Sequence, residues 1–217
     1  MPTGYRKAVD LPLAIPVFPL DGALLLPGGQ LPLNIFEPRY LNMIDDAMAG
    51  DRLIGMVQTR GGERELPPLA PIGCVGRITS FAETSDGRYL ITLTGLCRFE
   101  VGDELPVRTP YRQVRARFDR YEDDLNLDGP APVLDRPRLL AALSRYLDHR
   151  GLGIEWETAE SAPLEALINS LSMGLPFDPA EKQALLEAAT LEDRAKALTA
   201  LLEIDAAGGD DDGASLQ

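Results

Sequence analysis

The chain is poor in the residues that most catalytic and metal chemistry needs. Its 217 residues include one histidine (His149), two cysteines (Cys74, Cys97), three lysines (Lys7, Lys182, Lys196) and one tryptophan (Trp156). A four-ligand zinc site draws on closely spaced Cys and His pairs, so no metal site is expected. A Ser-His-Asp or Cys-His device would have to bring His149 across the chain to its nucleophile. His149 sits instead in "YLDHRGL", near an expected helix end where an imidazolium suits the negative end of the dipole, and reads as structural. A Ser-Lys dyad finds little support, because Lys7 lies near the N-terminus and Lys182 and Lys196 fall on predicted helix surfaces. Neither GxxxxGK[ST] nor GxGxxG occurs, so no ATP or dinucleotide cofactor is expected.

Long apolar runs are missing too. No segment approaches the ~18 uninterrupted apolar residues of a membrane span. The N-terminal apolar stretch is interrupted at Pro12, Pro16 and Pro19 with no small-residue cleavage site behind it, so no signal peptide is expected. The expected location is the cytoplasm, with no membrane partner. In that reducing setting Cys74 and Cys97, each in a strand-like stretch, read as small buried hydrophobes and not as a disulfide.

What is present is enough for a core: 45% of the residues are hydrophobic, room for one large domain or two small ones. Charge divides the chain. Residues 1–120 carry 14 Lys+Arg against 14 Asp+Glu, whereas residues 121–217 carry 7 against 20 and hold the whole formal charge of −13. Phosphate backbones demand clustered positive charge, so the acidic half is a poor nucleic-acid binder.

The first half reads as β. "AIPVFPL" is β-branched and bounded by prolines, which suits a first or edge strand. "LPLNIF" alternates Leu31, Leu33 and Ile35 against Pro32, Asn34 and Phe36, and "LIGMVQ" is a further short apolar run. "GCVGRITSFAE" and "RYLITLTG" flank "TSDG", whose Asp86-Gly87 pair tolerates positive φ and marks a hairpin. "YRQVRARFDRY" puts Val114, Ala116 and Phe118 on one face. Short strands at this spacing predict a curled sheet or small barrel. One helix interrupts them: from Pro38, Tyr40, Leu41, Ile44 and Met48 recur at helical spacing and Gly50 closes the run as a C′ residue. Glu37-Pro38-Arg39 is therefore expected to be a structural pivot from strand to helix, its carboxylate facing the free N–H groups of the first turn.

"EDDLNLDGPAP" has no period and marks a boundary. The expected division is residues 1–121 as a β-rich subdomain, 122–134 as a linker, 135–205 as a helical subdomain and 206–217 as a disordered acidic tail. Helix starts are expected at Asp135, Ser161, Asp178 and Thr190, the third as a capping box. Leu164, Leu167, Ile168 and Leu171 form one apolar stripe; Leu191, Ala195, Leu198, Leu201 and Leu202 form another. Trp156 is expected to pack between the two halves.

Carboxylate pairs (Asp45-Asp46, Asp123-Asp124, Glu192-Asp193) read as solvated faces. Glu37 is the one acid in an apolar setting. Two readings of it stand open: an ion pair with Arg39, or a general acid with a raised pKa.

"IPVFPLDGALLLPGGQLPLNIFEPRYLNMI", followed by "PIGCVGRITSFAETSDGRYLITLTGLCRFEV" and a leucine-rich helical region, resembles the N-terminal, substrate-binding domain of Lon protease from about Ala14 to Ile204. The resemblance implies an α+β fold, a PUA-like β pseudobarrel with one inserted helix followed by a C-terminal helical bundle. Full-length Lon continues into ATPase and Ser-Lys peptidase modules, and this chain is expected to lack both and to be no enzyme. The implied function is non-catalytic recognition of polypeptide substrates, or docking to a protease or chaperone partner. For the contact, "DGALLLPGGQ" offers Leu24, Leu25 and Leu26 beside a flexible turn. They are either an exposed polypeptide-binding anchor or a core segment closing the barrel. Two rivals remain: RNA binding through Arg112, Arg115, Arg117 and Arg120, opposed by the neighbouring acids, and an enzyme built around Glu37.

Overall fold

A computed structural model describes residues 4–61, 66–126 and 134–212 of the chain. They form two compact units: Met1–Gly129 with Pro176–Leu186, and Pro130–Leu175 with Glu187–Gln217.

The β unit is built on six strands: β1 (Ala14–Pro19), β2 (Gln30–Ile35), then helix α1 (Pro38–Ala49), β3 (Leu53–Val57), β4 (Ile72–Glu83), β5 (Tyr89–Glu104) and β6 (Gln113–Arg117). Their order is β2-β5-β4-β3-β1-β6, and β6 also pairs with the far end of β5 through Glu100↔Arg117, Val101↔Ala116 and Glu104↔Val114. The ladder thus turns back on itself as a pseudobarrel, and β2 extends it beyond β5. β1 is not an edge, contrary to one reading of its prolines. It pairs with β6 over Ala14–Pro16 and with β3, in parallel, over Val17–Pro19. The Val17 N–H donates to the Arg112 carbonyl on the β6 side and the Leu20 N–H to the Val57 carbonyl on the β3 side, both at 3.0 Å, so by alternation Pro16 and Pro19 each face a side that asks no N–H of them.

The interior is apolar: Ile15, Val17, Ile54, Met56, Val75, Phe99, Val114 and Ala116 are buried, with Phe99 and Phe118 5.9 Å apart between ring centroids. Cys74 and Cys97 are buried and form no disulfide, and burial pushes the Cys97 thiol well above its usual range. The β4–β5 hairpin turns at Gly87, with φ +79° and its N–H donating to the Thr84 carbonyl at 3.0 Å, as the Asp-Gly pair predicts. Helix α1 buries Tyr40, Met43, Ile44 and Ala47, while Leu41 and Met48 flank that stripe half-buried. Gly50 ends α1 without a left-handed conformation. That role passes to Arg52, φ +61°, whose N–H donates to the Ala47 carbonyl at 2.9 Å.

Leu24, Leu25 and Leu26 are 2%, 1% and 0% exposed, so the anchor reading is corrected: they are core. The reason lies in residues far along the chain. A Cβ on Gly76 would stand 2.6 Å from a Leu25 methyl, and one on Gly95 would collide with the Leu26 carbonyl. The two glycines leave the space that the leucines fill. Gly28 then donates to the Gly95 carbonyl at 3.0 Å, and Gly95 to the Gly29 carbonyl at 2.9 Å, which fastens the turn to β5.

The second unit is helical, with α2 (Arg136–Arg150), α3 (Trp156–Ser161), α4 (Leu164–Gly174) and α6 (Leu191–Asp212); α5 (Pro179–Glu187) belongs to the β unit through Leu186. Asp135 caps α2 by accepting from the Arg138 N–H at 3.0 Å, and Gly151 at φ +62° closes it. Thr190 caps α6, accepting from the Asp193 N–H at 3.1 Å. Asp178 and Glu181 form the expected capping box on α5, with reciprocal bonds of 2.8 and 2.9 Å. Ser161 differs from expectation: it ends α3, its hydroxyl donating to the Glu157 carbonyl at 2.7 Å, and Pro163 precedes α4. Trp156, expected as packing, opens α3 and is exposed. α6 packs on α2, and Arg138 and Arg150 pair with Glu203 and Asp205 across them, holding both carboxyls below their usual range.

Three expected boundaries shift. The linker's first residues lie in a 3-10 segment, Asp119–Leu125, and residues 127–133 fall outside the described set. Helix α6 runs to Asp212, past the expected start of the tail at 206, because Ala206 and Ala207 extend an existing helix at little cost; residues 213–217 lie outside the described set. The third shift moves 176–186 out of the helical subdomain.

The leucine seat generates a prediction. Leu25→Ala should cost ~2–5 kcal/mol of stability. Gly95→Ala, whose added methyl meets backbone, should cost about 3 kcal/mol, the upper end for overpacking. Urea unfolding followed by circular dichroism checks both, and wild-type midpoints would refute the seat.

Candidate functional site

With the three leucines inside, the apolar side chains that face water lie elsewhere. Of the large exposed hydrophobics in the β unit, Phe36, Phe81 and Leu90 fall together on the three-stranded extension formed by β2, the first half of β5 and the second half of β4. Residues directly opposite share a face, so Asn34, Leu90 and Ala82 lie on one side, as do Pro32, Thr92 and Ser80. Phe36 continues the parity of Asn34. Across this side Pro32, Asn34, Phe36, Ser80, Ala82 and Leu90 are all exposed, Phe36 at 62% and Leu90 at 45%. The opposite side carries Ile35, Ile91 and Leu93, which are buried. An open sheet face with two large apolar side chains is the principal candidate surface.

Its frame is rigid. Thr79 and Thr94 share a 2.9 Å hydroxyl hydrogen bond on the same extension. Tyr89, stacked edge-on against Phe81 at 4.9 Å, donates its hydroxyl to Asp45 of α1 at 3.0 Å, and that bond holds the phenol's pKa above its usual value. The charges beside Phe36 cancel locally: Arg88, 5.9 Å from the Phe36 ring centroid, pairs with Asp86 at 3.0 Å. A neutral rim leaves apolar contact as the main attraction.

Glu37, Pro38 and Arg39 lie between the end of β2 and the first turn of α1, without the expected contact of the Glu37 carboxylate to the first-turn N–H groups. Pro38 opens α1, and the Glu37 carbonyl accepts from Tyr40 and Leu41 at 2.9 and 3.0 Å. The Glu37 side chain makes no capping bond. It pairs with Arg39 at 2.8 Å, both about half exposed, and Arg39 lies 4.5 Å over the Tyr40 ring. Tyr40 is buried against Phe18, 4.3 Å between centroids, so the triplet turns the chain above an aromatic anchor. Glu37 is not enclosed by apolar groups, which removes the setting for a general acid. Among the described residues no group of three or more His, Cys, Asp or Glu could hold a metal ion.

Of the arginines considered for RNA, Arg112 pairs with Glu104, its Nε donating at 2.9 Å, and Arg117 and Arg120 both approach Glu100, at 3.3 and 3.7 Å. Three of the four arginines are thus engaged by two β5 carboxylates, Glu100 and Glu104, while Arg115 stands exposed.

The structure adds polar residues that sequence reasoning missed. Arg98 is 4% exposed, and its Nε and Nη2 donate to the Asp124 carboxylate at 2.8 and 2.9 Å. Its Nη1 reaches the Leu186 carbonyl of α5 at 3.2 Å, and its guanidinium lies 4.4 Å over the Tyr121 ring. Asp124 is thus no solvated linker acid. Lys182, expected on a helix surface, is buried and donates to the Gly22 carbonyl at 2.8 Å; burial lowers its pKa. Gln58, also buried, donates to the Pro179 carbonyl at 2.9 Å and to Gln183 at 3.1 Å. A hint existed: Arg98 interrupts the apolar run "GLCRFEV". Nothing local pointed to its partner 26 residues on.

The helical unit has a recess of about 330 Å³ lined by Leu139, Leu164, Ile168 and Ala195 together with Arg138 and Lys196. Both cations are engaged, Lys196 with Glu192 at 2.7 Å and Arg138 with Glu203 at 3.0 Å. It is large enough for one side chain and stands at the low end of ligand cavities.

Residues 14–203 match the family model described as the ATP-dependent protease La (LON) substrate-binding domain. The chain belongs to this Lon substrate-binding domain family. It is 30% identical over 210 residues to Lon protease 2 of Myxococcus xanthus, a match covering 93% of this chain and 25% of that protein. Against the Lon protease of Flavobacterium johnsoniae it is 30% identical over 193 residues, 86% of this chain and 23% of the other. The chain therefore spans about a quarter of the length of the curated relatives it matches, and only the Lon substrate-binding domain is matched. A crystal structure of a Lon N-terminal domain protein from Xanthomonas campestris superposes with a TM-score of 0.62 at 22% identity, covering 86% of this chain and 97% of that one. The N-terminal domain of Mycobacterium avium complex Lon protease gives 0.58 at 16%, covering 87% and 97%. At these identities the two structures bear on the fold alone, and the Lon N-terminal fold is the one described above.

Two contrasting substitutions test the assignment of charged residues. Glu37→Gln breaks an exposed pair and should change stability by less than ~1 kcal/mol. Asp124→Ala strands a buried guanidinium and should cost ~3–5 kcal/mol. Thermal and urea unfolding of both variants check the contrast; equal losses would contradict it.

Proposed function

We propose that this chain is a non-catalytic module that recognises polypeptide, serving proteolysis by capturing apolar segments or by docking to a protease or chaperone partner. The observation that carries the reading is the open face of β2, β5 and β4, on which Phe36 and Leu90 stand exposed over a hydrogen-bonded sheet. Covering a Phe or Leu side chain contributes ~1.5–3 kcal/mol, so two anchors give weak capture once the cost of immobilising a chain is subtracted. Weak, sequence-tolerant contact suits a module that samples many unfolded segments. Membership of the Lon substrate-binding family supports the same reading. The absence of a phosphate loop supports its non-catalytic character, and the paired arginines weigh against RNA.

Phe36→Ser/Leu90→Ser should weaken binding to a reduced, carboxymethylated protein by roughly tenfold or more, with the melting temperature unchanged. Titration by fluorescence anisotropy, with calorimetry on the same samples, checks this. The same preparation should neither hydrolyse ATP nor cleave casein, and turnover that follows the monodisperse peak through repurification would overturn the non-catalytic part. Unchanged binding by a stable double variant would remove the sheet face as the contact.

A further inference from the structure

Strand β2 ends the sheet, and its backbone shows which groups it leaves over. Gly95 directs both its N–H and its carbonyl toward the Gly28-Gly29 turn, donating to Gly29 at 2.9 Å and accepting from Gly28 at 3.0 Å. In an antiparallel ladder the groups of successive residues alternate between the two sides. Leu93, Ile91 and Tyr89 therefore face β2, and their register partners Leu31, Leu33 and Ile35 face β5. Gln30, Pro32 and Asn34 point the other way. Among the described residues, no backbone group pairs with that outer side of β2. It offers two N–H donors, from Gln30 and Asn34, and three carbonyls, from Gln30, Pro32 and Asn34. Pro32, which has no N–H to give, stands on the side where none is used in the fold.

The geometry points to a strand-addition site: the outer edge of β2 takes one extended segment of unfolded polypeptide, hydrogen-bonded through Gln30, Pro32 and Asn34. The proposal rests on the polypeptide-binding reading above and supplies its mode. An extended backbone is the occupant because it alone matches donors and acceptors repeating along a strand, whatever its side chains. Phe36 stands at the end of the same strand, on the open face, beside such a segment. Pro32 selects against a second copy of this chain. Two β2 edges paired about a two-fold axis would each lack that donor, so the pair loses two hydrogen bonds where a foreign segment loses one.

The test is amide hydrogen exchange by NMR on the ¹⁵N-labelled chain, with and without a reduced, carboxymethylated protein. The amides of Gln30 and Asn34 should gain protection on addition, while those of Leu31, Leu33 and Ile35, already bonded to β5, change little. Asn34→Pro should weaken binding roughly threefold to tenfold and Pro32→Val should strengthen it by a similar factor, the worth of one net backbone hydrogen bond. If Asn34→Pro fails to fold, the wild-type exchange and Pro32→Val decide. Binding that leaves both amides unprotected, with Asn34→Pro equal to wild type, overturns the edge mode and leaves polypeptide recognition standing. No binding at any concentration overturns both. Protection of Gln30 and Asn34 that grows with protein concentration alone assigns the edge to a second copy and overturns the proposal.

Discussion

The β unit depends on the guanidinium of Arg98. It is buried on β5, and three parts of the chain meet it there: the carboxylate of Asp124 after β6, the ring of Tyr121, and the last carbonyl that α5 contributes to this unit, that of Leu186. A buried cation without partners would cost several kcal/mol, so each partner is held by the others. The arrangement makes a discontinuous unit out of residues that separate by nearly ninety positions. Lys182 and Gln58 repeat the device on a smaller scale, each meeting backbone carbonyls across the α5 contact. Polar groups of fixed geometry give that docking one register, where apolar packing alone would tolerate several.

This internal tethering has a consequence for the surface. Because Leu24, Leu25 and Leu26 are drawn into the barrel above Gly76 and Gly95, the flexible-looking turn that follows them is pinned to β5, and β2 starts from a fixed point. The extension β2-β5-β4 then projects with one side on the core and the other bare. That bare side holds Phe36 and Leu90, both exposed.

Much of the element plan was legible locally. The alternation in "LPLNIF" assigned Phe36 to the side opposite Ile35; Asp-Gly marked the hairpin; Asp135, Asp178 and Thr190 marked helix starts. Pro38 marked the start of α1 in the same local way. The candidate surface was half legible: Phe36 was placed on a face, but nothing in six residues says whether that face is covered. The leucine run was ambiguous for the same reason, since a short apolar run looks alike in a core and on a surface. Asp124 and Lys182 were misplaced because charged residues are usually exposed, and their burial depends on partners at Arg98 and Gly22.

By itself, then, the sequence determined most strands and helices and their main starts and stops, because these follow from side-chain periods and turn chemistry within a few residues; its resemblance to the Lon family rests on the longer motif around Leu31–Tyr40. Only the tertiary structure decided which apolar residues are core, which face is open, which charges are buried, and that residues 176–186 fold with the strands. Those properties are set by neighbours brought together from distant positions: Gly76 and Gly95 under the leucines, Asp124 against Arg98, the α5 carbonyl above it. Burial is a property of what covers a residue, and a local pattern does not contain its cover.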